Sequence, residues 1–240
     1  MQSLTLTKLG ALSALLLVAG FVVGIALMAS GGVQVLIPET GKDGLDWISD
    51  VQDAGNLFSA GAGITVFAGL FGLVAFAGFY DALRHAGPVM LIAPIAGVAG
   101  IVLVTISHAT PIAMANELAP AYTDATGDAQ AALLVTHDTL ASFSLLMNYF
   151  GDVLVWGVTT PLFAIAVLKT SAVPRWIGWV GLTSAIFAGW LGLLSPVSSI
   201  AENVSTIGFF AFFIFMACMG VALMRRGTPV AGVEAPSASA

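Results

Sequence analysis

Residues 146–168 read LMNYFGDVLVWGVTTPLFAIAVL, and Lys169 follows directly. The only acidic or basic side chain in this run is that of Asp152. A helix of about 20 residues is about 30 Å long, which matches the hydrocarbon core of a bilayer. All backbone groups of such a helix are hydrogen-bonded internally, as lipid requires. The run therefore predicts a transmembrane helix.

Similar runs recur along the chain. The 240 residues are 58% hydrophobic and 8% charged, whereas soluble domains carry about 25% charged residues. We expect an all-α polytopic membrane helical bundle with about six transmembrane helices in one domain, residues 1–226. The predicted spans are 9–30, 57–80, 88–110, 146–168, 175–196 and 204–224. Residues 227–240 are small and Pro-rich and predict a disordered tail.

The basic residues predict the orientation of the chain. If six spans are present, six basic residues fall on one side of the membrane and only Lys42 falls on the other. Those six are Lys8, Arg84, Lys169, Arg175, Arg225 and Arg226. Because cytoplasmic loops are enriched in Lys and Arg, both termini are expected in the cytoplasm. The acids concentrate in the two longer outer loops, and the expected partner is lipid, with no nucleic acid.

The first outer loop contains an amphipathic segment from Lys42 to Phe58. Asp43, Asp46, Asp50 and Asp53 share one face at helical spacing, and Trp47, Val51 and Phe58 share another. The acidic face either binds a cation or partner, or is a solvated face of a helix that lies on the membrane.

The fourth predicted span continues a longer helical pattern that begins near Asp128. As one helix, residues 129–168 extend about 60 Å, so the first half is expected to project on the outer side of the membrane. Leu133, Leu140, Met147 and Leu154 repeat every seven residues, with Thr136, Phe143 and Phe150 between them. This repeat predicts a packing seam, whose expected partner is the outer-loop helix or the segment 118–122.

A polar stripe on the same helix provides the candidate site. His137, Ser144, Asn148 and Asp152 share one face, and an ionisable group inside a span is a functional candidate. Asp152 lies 17 residues before Lys169, about 25 Å along the helix. His108, on the preceding span, and Glu202, at the outer end of the last span, are expected at a similar level.

The sequence therefore predicts an outward-facing pocket lined by His108, Asn148, Asp152 and Glu202, with His108 as the partner of Asp152. Such a pocket could bind a small ligand, a proton, or a metal through His and carboxylates. The alternative is ordinary polarity at helix ends. His137 lies about 22 Å above Asp152, so it cannot join His108 in a bis-histidine haem site on a straight helix. Neither a cofactor nor a particular metal is indicated, and no catalytic residue is assigned.

Glycine ladders predict close helix packing. Gly55, Ser59 and Gly63 are spaced by four, as are Gly181, Ala185 and Gly189, and small residues at this spacing let membrane helices approach each other. Pro94 and Pro161 are expected to kink their helices.

Two segments carry a family resemblance. They are Gly151–Gly157 (GDVLVWG) and Val173–Leu182 (VPRWIGWVGL). They resemble a widespread bacterial family of uncharacterised six-helix membrane proteins, in which a long fourth helix leads to a cytoplasmic turn with a Pro-Arg-Trp-like motif, here Pro174-Arg175-Trp176. The resemblance implies this layout and no activity.

Three functions remain open from the sequence. The first is a non-enzymatic accessory or interaction protein that uses its outer helical cap, with a membrane protein or a second copy as partner. The second is a small-molecule or ion transporter with Asp152 as the coupling group. The third is a membrane-embedded enzyme with a metal held by His108 and carboxylates. The low number of ionisable groups inside the predicted spans favours the first, non-enzymatic function.

Overall fold

The computed structural model describes residues 5–33, 36–38, 42–170 and 172–225, with the backbone alone at 42–43, 195–197, 199 and 202. This part of the chain is helical and contains no strand. Its helices are α1 (Leu6–Ser30), α2 (Lys42–Ala54), α3 (Asn56–Ala86), α4 (Pro88–Asp124), α5 (Asp128–Lys169), α6 (Arg175–Leu194) and α7 (Ser199–Arg225).

Six of these helices, all but α2, are long and apolar enough to cross a membrane. The predicted all-α bundle with six spans is therefore confirmed. The structure also confirms the long fourth span, because α5 runs for 42 residues without interruption. The helix that contains the predicted third span, 88–110, is also longer than the span, because α4 continues to Asp124. The proposed tail, 227–240, lies outside the described residues.

The α1–α3 interface is a glycine contact. A Cβ atom added at Gly10 would lie 2.6 Å from the Cα atom of Gly78, and one added at Gly24 would lie 2.6 Å from the carbonyl oxygen of Gly61. Such distances leave no room for a side chain, so glycine is required where the two backbones meet. Because the two backbones are in contact at both the Gly10–Gly78 and the Gly24–Gly61 level, the two helices pack tightly along most of their length.

The predicted ladder Gly55, Ser59 and Gly63 is not this interface. A Cβ atom at Gly63 would meet nothing within 4 Å, and Gly55 has φ +51° at the break between α2 and α3. The ladder at Gly181, Ala185 and Gly189 is confirmed: Cβ atoms added at Gly181 and Gly189 would clash with Phe215 and with the Trp156 backbone. Spacing alone did not show which face of α3 meets a neighbour.

Two π-helical segments face each other where α5 packs on α6, at Val153–Thr159 and Ala185–Leu191. In a regular helix the N–H of residue 161 would bond the carbonyl of Gly157, but proline has no N–H. The Trp190 indole Nε1 instead donates to the Gly157 oxygen at 3.1 Å. The predicted irregularity at Pro161 is thus a local π-helical turn whose free carbonyl is bound by the neighbouring helix.

The outer-loop helix α2 forms a cap on the bundle. Trp47, Ile48 and Val51 are each 3% exposed, and they pack in a cluster with Phe58 and Leu118. The side chain of Gln52 donates to the Ala119 carbonyl oxygen at 2.9 Å, and the Trp47 ring lies 5.8 Å from that of His137. The expected partners of the outer half of α5 are therefore confirmed.

The face of α5 that packs inward differs from the predicted seam. Phe143 and Phe150 are 43% and 49% exposed, whereas His137, Ala141 and Ser144 are buried. Lipid is as apolar as a phenylalanine side chain, so burial in the bundle gains little for phenylalanine, and small or polar residues take the interior instead. The fully buried positions therefore include His137 and Ser144 of the polar stripe. Half-buried positions of the heptad repeat are Leu133, Leu140, Met147 and Leu154, and Leu140 packs against the cap cluster.

Candidate functional site

Asp152 and Asn148 are one helical turn apart on the inner face of α5. The Asn148 amide Nδ2 donates to Asp152 Oδ2 at 2.6 Å. The His108 ring on α4 lines the same cavity as Asn148 and Asp152. Asn148, rather than the predicted His108, is therefore the direct partner of Asp152.

α5 and α4 approach closely enough to bring these side chains together because glycines face each other one residue before Asp152. A Cβ atom at Gly151 would lie 2.9 Å from the Gly100 carbonyl oxygen, and one at Gly100 would lie 2.8 Å from the Gly151 oxygen. His108 is two helical turns beyond Gly100 on α4. The edge of its ring also packs against Phe21 of α1, with centroids 6.4 Å apart.

A cavity of about 130 Å³ lies beside these three side chains inside the bundle. We call it the inner cavity. Its polar lining consists of His108, Asn148 and Asp152, and the rest of its wall is apolar or aromatic, with residues from α1, α4, α5 and α7. This volume is enough for several water molecules or a small ligand.

A larger cleft of about 850 Å³ lies on the other side of Asp152, between α5, α6 and the start of α7. We call it the outer cleft. Asn148, Asp152 and Trp156 line both the cleft and the inner cavity, so these side chains form the wall between them. The cleft also exposes Leu145 and Leu146, which indicates that it opens toward the outside of the bundle.

No family model, curated protein or solved structure matches this chain. The site must therefore be interpreted from its own geometry.

Three of the four predicted site residues come together. His108, Asn148 and Asp152 all line the inner cavity. The backbone of Glu202 lies in the first turn of α7, three residues before Ser205 of the outer cleft, but the Glu202 side chain lies outside the described residues. His137 is separate, because it packs on Trp47 in the cap.

Trp156 is the main site residue that the sequence analysis missed. It packs inside the bundle against Phe209 and Phe212, with ring centroids 5.9 and 6.1 Å away. Its Nε1 is buried and has no hydrogen-bond partner among the described residues. Its position four residues after Asp152 was the available signal, since residues i and i+4 share a helix face.

The donor set of the site limits its chemistry. Within the described side chains, no group of three or more His, Cys, Asp or Glu residues could hold a metal ion. The residues around the inner cavity supply one carboxyl, one amide and one imidazole. These groups can exchange a proton or pair with a cation, and the arrangement contains no nucleophile with an adjacent base of the kind that acyl transfer needs.

Proposed function

We propose that this chain is a small-molecule or ion transporter of a bacterial cytoplasmic membrane, with Asp152 as the coupling group. The observation that carries the proposal is the position of Asp152 in the wall between the inner cavity and the outer cleft. A carboxyl at such a boundary can hold a proton in one state and a cation in another, and intramembrane acids of this kind mark ion and substrate pathways.

The depth of the site supports transport. Asp152 is about 25 Å along α5 from Lys169 at 1.5 Å per residue, which places it toward the far side of a hydrocarbon core about 30 Å thick. Asp152 is only partly exposed and pairs with a neutral amide. No structural role in closing the bundle accounts for an acid at this place, because Gly100 and Gly151 already form the helix contact there.

The accessory-protein hypothesis has less support from the cap. An interaction surface needs exposed apolar or aromatic anchors, but Trp47, Ile48 and Val51 are buried against the same chain. The outward side of α2 carries the exposed residues Asp46, Asp50 and Asp53. The metal-enzyme hypothesis likewise lacks a donor set among the described side chains. A second copy or another membrane protein remains a proposed partner only through lipid-facing surfaces.

We also propose that both termini are cytoplasmic. The basic residues Lys8, Arg84, Lys169, Arg175 and Arg225 lie at helix ends or in turns, and Thr7 donates to Asp81 at 2.7 Å, which joins the start of α1 to the end of α3. This supports one basic end of the bundle. A fluorescent reporter fused after Ala240 is expected to be active, and an alkaline phosphatase fused there inactive.

Electrical recording on reconstituted proteoliposomes that contain a pH-sensitive dye tests the transport proposal, because exchange of one proton for one monovalent cation changes the internal pH without a current. Small cations, zwitterions and anions are applied one at a time to wild type, Asp152→Asn and the control Asp46→Asn, which changes an exposed acid of the cap. We expect at least one solute to evoke a current or a change in internal pH that Asp46→Asn keeps and Asp152→Asn loses. Signals that survive Asp152→Asn, or an absence of both signals for every solute, would refute the proposal.

A further inference from the structure

Much of the lining of the inner cavity is aromatic. Phe21 of α1 and Phe209, Phe212 and Phe213 of α7 line it together with Trp156. The rings contact one another: centroids are 5.2 Å apart for Phe21 and Phe213, and 4.8 Å apart for Phe209 and Phe213. Residues from the first and last helices of the bundle thus meet in one aromatic surface.

The electrostatics of both spaces favour a positive ligand. Asp152 is the only acidic residue among the described residues that line the inner cavity or the outer cleft, and no lysine or arginine lines either one. Aromatic faces carry a negative quadrupole and attract cations. The acid and the rings therefore favour the same sign of charge.

The lining also distinguishes an organic cation from a metal ion. Hard cations such as Ca²⁺ take six to eight oxygen ligands, and Mg²⁺ takes near-octahedral oxygen coordination. The side chains around the inner cavity offer oxygens only from Asp152 and Asn148. A cation that carries its own alkyl groups needs one counter-charge and an apolar or aromatic surround, which is what the cavity provides.

We propose that the inner cavity binds a small alkylammonium ion, with the positive nitrogen beside Asp152 and the alkyl groups against Phe21, Trp156 and Phe209. The inference deepens the proposed transport function and rests on it for the direction of movement, but the binding step can be tested separately.

The outer cleft is the entry route for this ligand. It is bounded by Tyr149 and by the exposed side chains of Leu145, Leu146 and Leu193. Leu145 lies 24 residues before Lys169, about 36 Å along the helix, so the upper cleft reaches the level of the outer headgroups. Amphipathic cations accumulate at that level because aromatic and alkyl groups enter the interface while charge stays near water. Trp156 and Asp152 then separate the cleft from the cavity.

Binding is tested with two probes of the same shape on the full chain in nanodiscs. Choline carries a positive charge, and 3,3-dimethyl-1-butanol is its uncharged counterpart. Intrinsic tryptophan fluorescence and the melting temperature report binding. We expect choline to quench or shift the fluorescence of wild type and raise its melting temperature, and the alcohol to do neither at the same concentration. Equal responses to both probes, or to neither, would overturn the inference.

Two variant pairs locate the site. Asp152→Asn is expected to weaken choline binding about tenfold or more, since a charge-assisted contact is lost, while Asp50→Asn on the exposed face of α2 leaves it unchanged. Phe209→Leu is expected to weaken it about fivefold through loss of a cation–π contact, while Phe67→Leu, at a lipid-facing phenylalanine that is 64% exposed, leaves it unchanged. Unaltered binding in Asp152→Asn and Phe209→Leu would refute the inner cavity as the site.

The experiments distinguish failure of the transport proposal from failure of the alkylammonium-site proposal. Choline binding without a current or an internal pH change for any solute would refute transport and leave the ammonium site standing. A current for another solute that depends on Asp152, without choline binding, would refute the ammonium ligand and leave transport standing. If Asp152→Asn does not fold, the comparison of charged and uncharged probes on wild type still decides the ligand class.

Discussion

Glycine residues lie in both the α1–α3 and the α5–α6 interface, but the first is closed at two well-separated levels and a cleft opens within the second. Gly10 and Gly24 of α1 meet Gly78 and Gly61 of α3 at two well-separated levels. α5 and α6 also touch through glycine, where a Cβ atom at Gly189 would lie 2.6 Å from the Trp156 backbone. Above that level, however, the outer cleft lies between them.

The difference lies in the regularity of the backbone. α1 and the glycine-contact part of α3 are regular α-helices, so their small residues recur in register. α5 and α6 each contain a π-helical segment at the point of contact. An extra residue in a turn rotates the face of the helix beyond it. The small residues of α5 and α6 therefore meet from Gly178 and Gly181, which lie against Ala164, up to Gly189, and they lose register beyond the π-helical segments. Small residues permit contact, and the backbone decides how far contact extends.

The largest loss of stability is expected from a side chain placed in the tight α1–α3 interface. Gly78→Leu places a side chain against the Gly10 backbone, which cannot move aside, so we expect about 3 kcal/mol of destabilisation, the upper part of the range for overpacking. The measurement is unfolding in detergent followed by circular dichroism. Gly63→Leu is the matched control on the same helix, because its Cβ atom meets open space. Equal destabilisation by both would contradict the assigned interface.

A substitution beside the cleft between α5 and α6 is expected to change transport more than stability. Asn148→Ala removes the 2.6 Å hydrogen bond to the Asp152 carboxyl, and a hydrogen bond to a charged group is worth about 1.5–3 kcal/mol. We expect an Asp152-dependent current to fall about tenfold or more, with little change in melting temperature. Asn116→Ala, which loses a hydrogen bond to Ser59 on the outside of the bundle, serves as the control. A large fall in stability with an unchanged current would assign Asn148 a structural role.

A smaller effect is expected at the π-helical contact itself. Pro161→Ala restores a backbone N–H that competes with the Trp190 indole for the Gly157 carbonyl. The free energy of unfolding should change by about 1 kcal/mol. The ¹⁵N NMR signal of the Trp190 indole should shift. Pro120→Ala, at an exposed proline near the cap, should leave that signal in place. An unshifted indole in Pro161→Ala would show that proline is not the cause of the π-helical turn.

The smallest effect is expected from Trp190→Phe. The side chain is half exposed, so the main loss is its hydrogen bond to Gly157, about 1 kcal/mol. Local hydrogen exchange at residues 153–159 should increase while exchange in α1 and α3 stays unchanged. Faster exchange across the whole bundle would mean that the two interfaces are not independent.

The spans were readable from the sequence because length and apolarity determine them, and Asp152 stood out because an acid inside a span is rare. The grouping of His108, Asn148 and Asp152 was also predictable from their similar depth on neighbouring helices. The inward face of α5 was not, because Phe143 and Phe150 are as compatible with lipid as with a core. Trp156 and the aromatic wall were missed because Phe21 and Phe209 are about 190 residues apart in sequence, and only tertiary packing brings them together.

Chemical labelling tests most directly the central claim, which is that Asp152 lies in the wall of a cleft that opens toward the outside of the bundle. A hydrophobic carbodiimide dissolved in the bilayer reaches a carboxyl only through a path from the lipid, while a water-soluble carbodiimide reports on exposed acids such as Asp50. After reaction of the intact reconstituted protein, peptide mass spectrometry locates the adduct. We expect an adduct of the hydrophobic reagent on the Asp152 peptide of wild type and none on the same peptide of Asp152→Asn. An unlabelled Asp152 in protein whose Asp50 reacts with the water-soluble reagent would contradict it.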